Sequence, residues 1–331
     1  MDFSAGRPDC PKRMVFGPCG GVRDGGGCEV SDLRCVFLDQ PLVEWPGPAR
    51  AAVPLRDGGP TVLVDLSVTP YDPGSVRRVV GILAPSSDGL LIGEHANSPD
   101  FPPTMFARRV LDAGGRPWTT LACRDRNRVV LEQELAGLAA VGVDGVLCVT
   151  GDARGPGVRP GATQVFDLDG TRLTALAAGA GLRVAVPESP EAPPAGARPA
   201  RVAVKERAGA DLCVLNHVRS PRRVAEFVAA AREAGATLPF VAAVAVYTDE
   251  RSARVLQRFP GLFLDDAVVE RVLAAPDPRA AGIAAAVTEA RALLAIDGVV
   301  GVNLSGMGSD KGIEDGALVK AAIADELREA G

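Results

Sequence analysis

The chain has 331 residues, of which 47% are hydrophobic, and a formal net charge of −5. That length and apolar content suit a globular protein with a large core, and no uninterrupted apolar run reaches the roughly 20 residues of a membrane-crossing helix. The acidic balance argues against a nucleic-acid surface and leaves no polybasic patch for a membrane. The opening residues, Met-Asp-Phe-Ser-Ala-Gly-Arg-Pro-Asp-Cys, lack the basic and apolar parts of a secretory signal, so a cytoplasmic location is expected.

Residues 1–37 hold four of the seven cysteines, Cys10, Cys19, Cys28 and Cys35, and six glycines lie between Gly17 and Gly27. A segment of this kind builds no core alone, and below about 40 residues a metal or disulfide usually holds it. Four thiolates suit Zn²⁺ in a closed tetrahedral site or an iron–sulfur cluster. The spacing is not the paired CxxC of common zinc modules, so free or disulfide-forming thiols are the alternative, the disulfide disfavoured where no secretion signal is present. Cys123, Cys148 and Cys213 fall in predicted strands and read as small buried apolar residues in a reduced compartment.

Residues 38–60 are rich in proline and glycine and read as a linker. From residue 61 short apolar runs alternate with helical patterns through residue 331. Strands are predicted at 62–68, 89–93, 118–122, 145–149, 182–186, 211–215, 240–244 and 299–304. Helices are predicted near 75–83, 104–113, 129–141, 171–178, 198–208, 222–234, 248–259, 266–274, 279–295 and 314–330. In the third of these, Val129, Val130, Leu131, Leu135, Leu138 and Val141 form the expected apolar stripe. Eight strand–helix units point to a (β/α)₈ barrel preceded by a small cysteine-rich metal-binding module. The alternative, an open doubly wound sheet, lacks the GxGxxG fingerprint after its first strand.

In such a barrel the polar residues at the strand ends gather on one rim. They are Asp65, Ser67, Glu94 to Asn97, Thr120, Arg124 to Asn127, Thr150 to Asp152, Glu188, Asn216, His217, Asn303 and Ser305. Each has a plainer reading. Asp125 and Arg126 suit helix capping and dipole complementation, Asp152 suits a turn, and His217 is one of two histidines in the chain, the kind that is more often structural. The loop 305–312 before the last helix sits where barrels often hold phosphate, although a flexible turn explains it as well.

The string Leu-Ala-Cys-Arg-Asp-Arg-Asn ending at Asn127, followed by Gly-Val-Asp-Gly-Val-Leu-Cys-Val-Thr-Gly-Asp ending at Asp152, resembles the methylenetetrahydrofolate reductase family. The likeness continues through Gly-Glu-His-Ala-Asn-Ser at 93–98, Val-Phe-Asp-Leu-Asp at 165–169, Lys-Glu-Arg-Ala-Gly-Ala-Asp at 205–211 and Phe-Pro-Gly-Leu-Phe at 259–263, and so spans residues 61–305. The N-terminal Cys10-Pro-Lys, Gly17-Pro-Cys-Gly-Gly21, Cys28-Glu-Val and Cys35-Val-Phe resemble the cysteine-rich module associated with these reductases as a C-terminal or partner domain; in this chain it precedes the barrel.

The resemblance implies an oxidoreductase that binds FAD at the barrel's C-terminal face and passes a hydride to 5,10-methylenetetrahydrofolate, with NAD(P)H as a possible electron donor. Some relatives work without flavin. It implies that Thr150, Gly151 and Asp152 lie against the isoalloxazine ring, with Asp152 tuning its electronics. Ala96, Asn97 and Thr120 would face the cofactor, and Arg124, Asp125, Arg126 and Asn127 its ribose and phosphates. Asn216 stands where the family carries a glutamine that reads the pterin edge, and Glu188 would face the substrate. Cys10, Cys19, Cys28 and Cys35 would hold Zn²⁺ or an iron–sulfur cluster.

One departure bears on chemistry. The family's first strand ends in Glu-x-x-Pro, and that glutamate protonates N10 of the folate. Here Ser67-Val-Thr-Pro70 puts Ser67 at that position, and a hydroxyl cannot substitute for a carboxylic acid tuned near neutrality. Asp65 lies on the same strand face, one layer deeper, and Glu94 and Glu188 are other candidates. Three readings follow: a folate reductase; a repurposed relative acting on another small C–N substrate; and a non-catalytic folate- or cofactor-binding subunit whose module docks a redox partner or a second copy.

Overall fold

The computed structural model describes residues 6–51, 61–95, 97–155, 157–257, 262–306 and 308–329. Ala96, Phe259 and the end of the expected linker lie outside the described residues. Eight parallel strands close into one barrel in sequence order. They are β1 (Thr61–Leu66), β2 (Gly89–Ile92), β3 (Pro117–Ala122), β4 (Gly145–Val149), β5 (Val184–Glu188), β6 (Leu212–Leu215), β7 (Phe240–Ala245) and β8 (Val299–Ser305). Helices α1 (Pro73–Leu83), α2 (Pro103–Asp112), α3 (Arg128–Val141), α4 (Gly170–Gly179), α5 (Arg198–Arg207) and α6 (Pro221–Glu233) follow the first six strands. Three helices, α7 (Glu250–Gln257), α8 (Asp266–Leu273) and α9 (Pro278–Leu294), separate β7 from β8, and α10 (Ile313–Glu329) follows β8. The (β/α)₈ expectation is met.

Local chemistry explains the helix starts. Asp72, Asn127, Asp169, Asp265 and Asp277 each accept a backbone N–H of the first turn, satisfying donors that the helix itself cannot. Proline at the head of α1, α2, α6 and α9 pre-sets φ where no N–H is needed. The α3 stripe is narrower than expected: Leu131, Leu135 and Leu138 are buried, whereas Val129 is 61% exposed and Val130 also faces outward. These two valines belong to the first turn beside the Asn127 cap, ahead of the core-facing stripe. β5 starts two residues later than expected because Leu182 closes the end of α4, its N–H reaching Ala177 O at 3.2 Å beyond Gly181 (φ +79°).

Two apolar layers form. Leu63, Leu91, Trp118, Leu147, Ala185, Leu212, Val214 and Val241 fill the barrel interior, while a larger cluster lies between strands and helices. Trp118 plugs the interior, and Gly89 and Gly145 make room for it: a Cβ on either would come within 2.6 Å of its indole. Strand alternation then sets Asp65, Ser67, Thr120, Asn216 and Asn303 above this plug, facing the mouth.

The first segment is not an appendage. Met14, Phe16, Val22 and Phe37 are buried, and Trp45 stacks on Phe16 at 5.0 Å, with Val204 and Ala208 of the α5 region in the same cluster. The expected linker is likewise tied down where it is described: Arg50 pairs with buried Asp211 and donates to Ala178 O and Leu182 O.

Candidate functional site

A cavity of about 320 Å³ opens at the C-terminal mouth of the barrel, at the small end of the range for organic ligands. On its β1–β8 side Asn303 Nδ2 donates to Asp65 Oδ1 at 2.9 Å. Asn303 is buried, and its own carbonyl Oδ1 has no partner among the described residues. Ser67 reaches the cavity beside Asp65, as expected, and its hydroxyl donates to Gly306 O at 3.2 Å. Behind them Lys320 of α10 donates to Asp65 O at 2.6 Å and Gly306 O at 2.9 Å. Burial pulls its ammonium down to about 8 against the opposing charge of Asp65. A lysine within an amphipathic helix gives no sequence signal for that role.

Glu188 and Glu94 also line the cavity and are engaged by neighbouring cations. Glu188 occupies an outward-facing position of β5 and meets α5, where Lys205 at 2.7 Å, Arg198 at 3.2 Å and Arg201 at 3.3 Å surround it. Burial alone would raise its pKa; the three cations override that and hold it at about 2. It is therefore a permanent anion and no proton donor. Glu94 accepts from Ala122 N at 2.8 Å and pairs with Arg126, bridging the ends of β2 and β3. Asn216 lines the cavity and donates to Ser189 Oγ at 2.7 Å.

His217 lies at the cavity wall beside Leu256 and Leu262. It is 2% exposed, and neither ring nitrogen has a partner among the described residues. Burial lowers its pKa to about 4, so the ring is neutral at physiological pH.

The β3 and β4 rims meet the N-terminal module. Lys12, 2% exposed, donates to Gly151 O at 2.6 Å and pairs with Glu29, whose other oxygen accepts from Ala153 N at 3.2 Å. Thr150 Oγ1 accepts from Gly170 N at 2.9 Å and lies 3.5 Å from Met14 Sδ. Val15 N donates to Asp169 at 2.8 Å, Arg172 to Arg13 O at 2.8 Å, and Arg198 to Cys19 O at 2.8 Å. Lys12, Cys19 and Gly20 of the module thereby join the wall of the cavity.

The charged tetrad is paired internally. Arg124 is buried and donates to Asp125 at 3.0 Å and to Asp152 O at 3.3 Å; Asp125 also pairs with Arg154. The residue that caps α3 is Asn127, accepting from Val130 N at 3.1 Å, and not Asp125 or Arg126. Asn97 lies exposed at the rim, where its Oδ1 accepts from Gly155 N at 3.1 Å, and Thr120 lines the cavity. Within the 305–312 loop residues 309–312 fold back through Ser309, and Glu314 and Asp315 in the first turn of α10 disfavour phosphate there.

Cys10, Cys19, Cys28 and Cys35 line one small cavity of about 20 Å³, and all four are free thiols. Among the described residues no three His, Cys, Asp or Glu side chains are arranged to hold a metal ion. Burial raises the thiols of Cys10 and Cys35, and their neighbouring cysteines add to the shift. Cys148 and Cys213 are pushed up to about 12 by burial and are inert core residues, as expected.

A (β/α)₈ barrel with a polar mouth and a four-thiol module against its rim is the class that fold and site define. Residues 6–40 match the family model described as methylene-tetrahydrofolate reductase C terminal, as the cysteine pattern implied. No curated protein matches the chain. Among solved structures, a Clostridium thermocellum protein that binds two copies of 5-methyl-5,6,7,8-tetrahydrofolic acid is similar at a TM-score of 0.60 and 11% identity, covering 82% of this chain and 96% of its own. Tryptophan synthase from M. tuberculosis aligns at 0.45 and 12% identity over 82% and 93% of the two chains. A 2,3-dimethylmalate lyase aligns at 0.45 and 12% identity over 74% of each. At these identities the likeness is one of fold. No helix among the described residues is long and apolar enough to cross a membrane.

Proposed function

We propose that the barrel mouth binds a reduced folate and acts on its one-carbon unit. The observation that carries this reading is the Asp65–Asn303 pair, which sets a carboxylate at the cavity wall, oriented by an amide whose own buried oxygen has no partner among the described residues. A pterin ring carries a ring N–H and an amino group on adjacent positions, and a carboxylate acceptor matches that edge. Asn216 and neutral His217 add further polar groups around the same space. The module's family match and the folate bound by the Clostridium thermocellum protein point the same way.

We propose that the site works without FAD, because much of this rim is paired within the protein. The groups that resemblance assigns to FAD are engaged: Gly151 O with Lys12, Thr150 with Gly170 and Met14, and Arg124 and Arg126 with carboxylates of the same rim. A flavin-free reduction would take hydride directly from a nicotinamide nucleotide. Titration calorimetry of the full chain with 5-methyltetrahydrofolate and with FAD tests both parts. Folate binding with no visible flavin absorbance and no FAD binding is expected, whereas tight FAD binding or no folate binding overturns the reading.

For the module, four thiols facing one cavity are a donor set suited to Zn²⁺ or an iron–sulfur cluster, provided that the sulfurs draw together around it. Bound metal would act as a clip that supplies folding energy to a segment with little core. Cys19→Ser is expected to release metal, read by elemental analysis, and to lower the thermal midpoint. Unchanged metal content, or none in the wild-type chain, rules this out.

A further inference from the structure

Four carboxylates border the barrel mouth, and three of them have other work. Asp65 holds Asn303, Glu94 is clamped by Arg126 and Ala122 N, and Glu188 is locked among three cations behind β5. Asp152 remains. It lines the cavity with an exposed side chain that accepts no hydrogen bond from the described residues, and it follows Gly151, whose carbonyl Lys12 holds. We infer that Asp152 is the proton donor of this site and that Glu29 and Lys12 of the N-terminal module are positioning residues that control it.

The role of Asp152 rests on the folate reading above, while the module's control of it does not. The charged and titratable groups that face Asp152 are Lys12 and Glu29 of the module, Arg124 after β3 and His95 after β2. Arg124 is largely committed to Asp125 and to the carbonyl of Asp152 itself. Lys12 and Glu29 are bound to each other, and Glu29 is also fixed by Ala153 N, one residue from Asp152. Although its side chain opens to the cavity, desolvation by the surrounding rim and module raises the pKa of the Asp152 carboxyl, and Glu29 adds to the shift while Lys12, Arg124 and His95 oppose it. The module therefore sets one group of each sign next to the acid.

In a reduction of a methylene-bridged folate, hydride from a nicotinamide nucleotide forms the new C–H bond and the bond from that carbon to N10 breaks. Its electron pair passes to N10, which takes the proton of Asp152, and water then reprotonates the carboxylate. Ser67 supplies no acid for this step, so the carboxyl across the mouth takes over that role.

The test is a pH titration of the full chain with ¹³C-labelled aspartate carboxyls, the Asp152 signal assigned by its loss in Asp152→Asn. The wild-type midpoint is expected above the ordinary carboxylate range. Glu29→Gln should lower it and Lys12→Met should raise it, each by about one unit for a charge removed at close range. Affinity for 5-methyltetrahydrofolate should fall as pH passes the wild-type midpoint and should lose that dependence in Asp152→Asn. A purely structural role would move both variants the same way or neither. Shifts of equal sign, no shifts, or an ordinary wild-type midpoint overturn the inference. Should Lys12→Met fail to fold, the wild-type and Glu29→Gln midpoints still decide it. Opposite shifts without any folate binding uphold the module's control of Asp152 and overturn the folate reading alone.

Discussion

Glu188→Gln is expected to destabilise the protein by on the order of 3–5 kcal/mol, because it leaves Arg198, Arg201 and Lys205 buried around a neutral amide. The pair energies need not be large for this. What matters is the desolvated positive charge that loses its counter-ion. The same carboxylate makes stability depend on acid. Its value of about 2 in the folded chain lies below the ordinary 4.5, so its contribution is fully present above the ordinary value and is lost as pH falls toward 2. That contribution is of order 3 kcal/mol at neutral pH. Urea unfolding followed at several pH values should show it in the wild type and not in the variant. A variant with an unchanged urea midpoint at neutral pH would show that the cluster is not holding β5 to α5.

Asp65→Ala is expected to weaken 5-methyltetrahydrofolate binding by roughly 100-fold, about 3 kcal/mol, since it removes a charged acceptor and frees the amide of Asn303 that it orients. The barrel should stay folded, since Lys320 bonds the backbone oxygen of residue 65, which alanine keeps, but its thermal midpoint should fall because the carboxylate that offsets buried Lys320 is gone. Calorimetry well below the variant's own thermal midpoint gives the affinity and separates lost recognition from lost structure. Binding within a few-fold of wild type would put the pterin away from β1 and β8.

The strand ends of this barrel are readable from the residues. Asp65, Ser67, Thr120, Asn216 and Asn303 fall on one face of their strands by simple alternation, and the structure brings them to one mouth. The roles of several rim residues are not. By its position in the chain Glu188 reads as a rim acid, but the two-residue offset of β5, caused by the closure of α4 at Leu182, makes it the last outward-facing residue of the strand. Arg124 to Asn127 read as partners for a cofactor's phosphates, and what the residues alone do not give is their pairing with Asp125, Glu94, Arg154 and the head of α3.

The sequence by itself determined the architecture, because period-two and helical patterns are local signals repeated along the chain. It also determined that a serine stands at position 67, where the resemblance would put an acid, since that is a matter of residue identity. Only the tertiary structure decided what the cysteine module does to the barrel. Lys12 meets Gly151 across 139 residues of chain and Glu29 meets Ala153 across 124, and no local pattern encodes a contact at that separation. Burial, counter-charge and the lack of a partner are properties of the assembled neighbourhood. They distinguish Asp152, open to the cavity and beside the module, from Glu188, sealed among cations, although both are acidic residues at the end of a strand.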